Sequence, residues 1–146
     1  MGATREQIAN ALFALLAGSS EFVTSGRRNT NPEGLGPTQT PALFLVERDD
    51  DWDRGAGFNQ FAKRTMRFWA IVYSDVATDD SAVPNTIINN ILDAIDLAMQ
   101  PDDVVEGTLT LGRLVQSVTL DGATQRSSGD TTGKALAIVP IRVLIP

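Results

Sequence analysis

Residues Phe61 to Tyr73 alternate strictly between two sides of an extended chain, and no other stretch constrains the fold so sharply. Phe61, Lys63, Thr65, Arg67, Trp69, Ile71 and Tyr73 share one side. Ala62, Arg64, Met66, Phe68, Ala70 and Val72 share the other. The first half is mixed in character and the second half apolar on both sides. The spacing predicts a long strand that is covered on both faces near Tyr73 and projects beyond the core near Phe61.

A strand of that length requires neighbours, and the flanking segments supply them. Pro41 to Glu47 is a near-continuous apolar run, which predicts a strand buried on both faces. Asp49 to Gly57 reads as the charged turn between the two. Phe22 to Arg28 is a shorter candidate strand, followed by loop chemistry from Asn29 to Thr40 with Pro32, Gly34, Gly36 and Pro37. Thr108 to Leu120 reads as a strand around Gly112, Asp121 to Gly133 as a polar turn, and Lys134 to Ile145 as the last strand. Two segments carry helical periodicity instead. Thr4 can cap a helix to Ala17 with Ile8, Leu12, Leu15 and Leu16 inward, ended by Gly18. Pro84 opens a second helix to about Met99, with Ile88, Leu92 and Ile95 on one stripe, and Pro101 stops it.

The order is therefore α-β-β-β-α-β-β. Strands that follow strands predict a single α+β domain over residues 1–146, with a largely antiparallel or mixed sheet of about five strands and two helices packed on it. At 146 residues, one domain is also the expectation from length. Pro140 cannot donate to a ladder, so the last strand is expected at an edge or bulged there. An edge is a place where another subunit docks.

Composition narrows the chemistry. The chain has no cysteine and no histidine. Disulfides, thiolate zinc sites and the commonest general base are thereby excluded. The net charge of −6 disfavours sequence-independent binding to DNA phosphates. No apolar run approaches the roughly 20 residues of a membrane-spanning helix. Glu6 and the lack of a small-residue cleavage site argue against a secretory signal.

The acidic run Asp49, Asp51, Asp53 begins like a calcium loop, but Arg54 stands where the glycine belongs and Gln60 replaces the closing glutamate. Gly55-Ala-Gly57 lacks the third glycine of a dinucleotide loop, and Gly129 to Lys134 is one residue short of a phosphate loop. No metal or cofactor is expected. Asp93 and Asp96 share one side of the second helix, where a solvated polar face is the simpler reading. Arg27 and Arg28 form one basic group; Lys63, Arg64 and Arg67 form another. Neither is interleaved with aromatics as a single-strand binder requires, so pairing with an acidic partner and ordinary charge balance both stay open. Trp52 and Phe58 flank a charged loop and are read as interface anchors. The candidate subunit or partner interface is Arg27, Arg28, Trp52, Asp53, Arg54, Phe58, Arg126 and Pro140.

Four stretches together resemble the tail terminator (tail-completion) family of long-tailed bacteriophages. They are the helix Arg5–Leu16, the strand Gln39–Val46 after its Pro/Gly loop, the segment Pro84–Ile95, and Leu109–Val115 followed by the closing strand Lys134 to Ile145. The resemblance implies a structural virion protein without catalytic residues. Its members form a homohexameric ring at the head-proximal neck of the tail, assembled in the host cytoplasm. Such a ring ends the tail tube, meets the head connector or stopper protein, and lets genomic DNA pass through its lumen without specific binding. Another neck, head-completion or tail tube subunit is the related alternative. A small hydrolase using Asp93 and Asp96, or the Asp49–Asp53 cluster with a metal, is the enzymatic one.

Overall fold

The computed structural model describes residues 3–28, 36–53, 63–76, 83–127 and 133–145. Two helices, α1 (Arg5–Ala17) and α2 (Pro84–Ala98), lie on one face of a mixed sheet. The strands are β1 (Thr24–Gly26), β2 (Ala42–Asp53), β3 (Lys63–Asp75), β4 (Ser117–Leu120), β5 (Gln125–Ser127) and β6 (Lys134–Ile145). Their order across the sheet is β1-β2-β3-β6-β4, with β5 also paired to β6. Among the described residues only the β1–β2 pair is parallel. The α+β class and the element order follow the expectation, with the short β5 added.

Local chemistry explains where the helices begin. The Thr4 hydroxyl accepts the Gln7 amide at 3.2 Å while the Gln7 side chain accepts the Thr4 amide at 2.9 Å. Two otherwise orphaned donors are satisfied in this reciprocal box. Pro84 starts α2 where a missing N–H costs nothing. Ile8, Leu12 and Leu16 of α1 and Ile88, Ile91 and Ile95 of α2 are buried against Leu43, Leu45, Phe68, Val72, Val139 and Ile141 of the sheet. The opposite sheet face holds a smaller cluster. Ala42, Phe44, Ile71 and Tyr73 are buried there, with Val46, Trp69, Leu136 and Ile138 half-buried around them. The Phe44 and Tyr73 rings meet edge to face at 5.9 Å.

Several extents differ from the sequence reading. The acidic run is strand, not turn: β2 continues to Asp53 and pairs with β3 as far as Lys63. A bulge between Glu47 and Asp49 makes this possible. The extra residue, Arg48, reverses the inside–outside alternation. Asp49 and Asp51 then fall on the face of Arg67 instead of the helix side. The described start of β3 is flanked on both sides, with Met66 buried and β6 alongside to the pair Arg64↔Ile145, while Phe61 and Ala62, where the strand is expected to project, lie outside the described residues. Phe22 to Arg28 contributes only Thr24–Gly26. In 108–120 only Ser117–Leu120 is strand, and the polar segment after Asp121 contains β5.

The placement of Pro140 is a further correction. β6 is not an edge, since β3 flanks its whole length and β4 and β5 flank its other side. The amide of Asp121 donates to the Pro140 carbonyl at 2.9 Å. The N and C=O of one strand residue point the same way, so the missing N–H faces the break between β4 and β5 and costs β3 no bond. The margin that does lack a neighbour is elsewhere. β1 covers only Ala42 to Phe44, and beyond them no strand among the described residues adjoins the outer side of β2.

Candidate interaction surface

The expected contact residues that the structure describes are spread over separate parts of the surface. Arg27 is consumed within the chain. Its guanidinium donates to both Glu6 carboxylate oxygens at 2.9 Å, to Asn10 at 2.8 Å and to Glu47 at 2.8 Å, tying the end of β1 to α1 and β2. Glu6 raises the Arg27 pKa, chiefly through the hydrogen bond, and Arg27 in turn lowers that of Glu6. Arg28 is exposed. Arg126 reaches across to Asn85 and Asn89 on α2. Trp52 is 61% exposed, with the Arg64 guanidinium 5.7 Å from its ring centroid. Asp53 ends β2 opposite Lys63. Arg54 and Phe58 lie outside the described residues. Pro140 is half-buried inside the sheet.

The carboxylates considered for chemistry are largely taken up by arginines. Arg67 donates to Asp49 and to Asp51, each at 2.9 Å, and lies 3.5 Å from Asp121. The two hydrogen-bonded carboxylates raise its pKa further. Asp50 points the other way and pairs with Arg5 of α1. Asp93 and Asp96 stand exposed on α2. Among the described residues no group of three or more acidic side chains is arranged to hold a metal ion, and no helix is long and apolar enough to cross a membrane.

Two features escaped the sequence reading. One is on the sheet face away from the helices, where Arg48 stacks on Trp69 with its guanidinium carbon 3.7 Å from the ring centroid. Trp69 is opposite Pro140 in register, and Arg142 extends from the same face two residues further along β6. The alternation of β3 and β6 places Trp69, Ile138, Pro140 and Arg142 together, and Arg48 follows Ala42, Phe44 and Val46 onto the same face.

The other is the segment after α2. The Asp102 carboxylate accepts from the Thr110 amide at 2.7 Å, the Thr110 hydroxyl at 2.8 Å and the Gly112 amide at 2.9 Å. These bonds, with that from Gly112 the largest influence, hold Asp102 below the ordinary carboxylate range. Asp103 accepts from the amides of Val105 and Glu106 at 3.1 and 3.2 Å, and its backbone bridges to Thr108. Leu111, Gly112 and Arg113 follow in left-handed conformation, with φ of 52°, 68° and 71°. At the tip, Val104 and Val105 are 88% and 87% exposed. A DVV-type turn carries no periodic signal, so nothing in the pattern of the sequence marks it.

No protein-family model matches the chain, and no curated protein matches it.

Proposed function

We propose that this chain is a ring-forming structural subunit of a phage tail, of the terminator type. It ends the tail tube, joins it to the head connector and leaves a lumen for DNA. The observation that carries the reading is a sheet with a helix layer on one face and, on the other, a partly exposed apolar strip around Trp69. A two-layer domain of this kind presents its second sheet face to a neighbour as readily as to solvent. The arginine-bound state of Asp49, Asp50 and Asp51 supports it further, because carboxylates clamped in this way are poorly placed for proton transfer. The acidic surface suits a lumen through which DNA must slide without sticking.

Electron microscopy of the purified protein, alone and with tail tube protein, tests the proposal. Closed rings that cap tubes of finite length are the expected result. A species that stays monomeric at high concentration in both conditions, judged by mass in solution, counts against it. Open-ended filaments point to a tube subunit instead.

A further inference from the structure

The ring reading leaves open how one copy grips the next, and two unlike surfaces answer that. The first is the Val104–Val105 tip. Two adjacent valines almost fully in solvent gain nothing for the fold of their own chain. Yet the turn that carries them is built with unusual care. Asp103 gathers the amides of Val105 and Glu106, and Asp102 gathers Thr110 and Gly112. The left-handed Leu111 and Arg113 hold strain that these bonds offset. The outcome is a stiff apolar knob bordered by three carboxylates, Asp102, Asp103 and Glu106, with the single cation Arg113 in the same groove.

The second surface is on the other side of the sheet. Leu109 and Val115 anchor the knob segment in the core on the helix side. Val46, Trp69, Ile138 and Pro140 form a half-buried apolar strip on the opposite face. Arg48 lies over Trp69, and Arg142 stands beside Pro140. Among the described residues, neither arginine forms an ion pair with a carboxylate.

We propose that the Val104–Val105 knob of one copy docks on the Trp69 strip of a second copy, its carboxylate border meeting Arg48 and Arg142. The inference rests on the ring reading. Apolar knob meets apolar strip, and the knob's carboxylates meet Arg48 and Arg142, the nearby Asp49, Asp51 and Asp121 being held by Arg67. Because the two patches are different and lie on opposite sides of the protomer, the contact is head-to-tail. A contact of that type repeats from copy to copy and closes into a ring when the rotation permits. Rigidity matters here too, since a tip already held in shape loses little freedom on docking.

Sedimentation velocity on three proteins decides it: the unmodified chain, a Val104→Ser/Val105→Ser variant and an Arg142→Glu variant. All altered positions are exposed, so circular dichroism and melting temperature should match the unmodified chain. Each variant alone should associate at least about tenfold more weakly. Mixing the two gives the sharper result. One variant keeps its strip and the other keeps its knob, so a single contact survives per pair and assembly should stop at a 1:1 dimer. If the unmodified chain forms rings and both variants form them equally well, the docking scheme is wrong while the ring reading stands. A mixture containing only monomers also overturns the scheme. If the unmodified chain never associates, ring and contact fall together.

Discussion

Arg67 shows how one side chain can settle the fate of a cluster. Three aspartates in a row followed by Gly55 and Gly57 carry the composition of a charged turn. The bulge brings two of them to Arg67, and Asp121 approaches from the far side of β6. Replacing Arg67 with Met keeps the aliphatic stem but leaves these carboxylates facing one another. Chemical denaturation should register a loss of about 1 kcal/mol at low salt, shrinking as salt is raised. Asp102 offers a pH test. Its carboxyl is held lower in the folded chain than in the unfolded one, so its contribution is complete above the unfolded value of about 4 and fades as pH falls through the folded value. Asp102→Asn should cost about 1 to 2 kcal/mol at neutral pH and less in acid, measured by urea unfolding across that range.

At the scale of elements, the two helices were legible because capping and apolar spacing agree. Leu12 and Ile95 sit in the core as their periodicity requires. Leu12→Ala should destabilise by about 2 to 5 kcal/mol, since the site is fully enclosed between α1 and the sheet. β3 and β6 were legible for the parallel reason of alternation. What failed was extent. β2 runs six residues past Glu47 because a partner strand and Arg67 override the turn-like composition of the aspartates. In 108–120 the error went the other way. Leu109, Thr110 and Val115 are buried, but a left-handed stretch between them turns the chain, and a Leu or Arg in that conformation leaves no mark in composition. Pro140 signalled an interruption correctly, but whether the interruption borders solvent or a break between two neighbouring strands depends on topology. Of the expected contacts, Arg27 pairs within its own chain with Glu6 and Glu47, 21 and 20 residues away, a pairing that no local spacing reveals.

At the scale of the whole molecule, one core joins α1, α2 and the sheet, with the second cluster adjoining through the same strands. The isolated protomer should therefore unfold in one cooperative step, with far- and near-ultraviolet circular dichroism giving coincident transitions. Two separated transitions would show that the knob segment or the second cluster melts independently.

The outer side of β2 has a consequence wherever copies of this chain are crowded together. From Leu45 onward its amide and carbonyl groups border no described strand, the condition under which chains zip together without limit. The kink at Arg48 and the successive negative charges make that side a poor template for fibrous growth. Crowded copies are thus discouraged from zipping together along this margin.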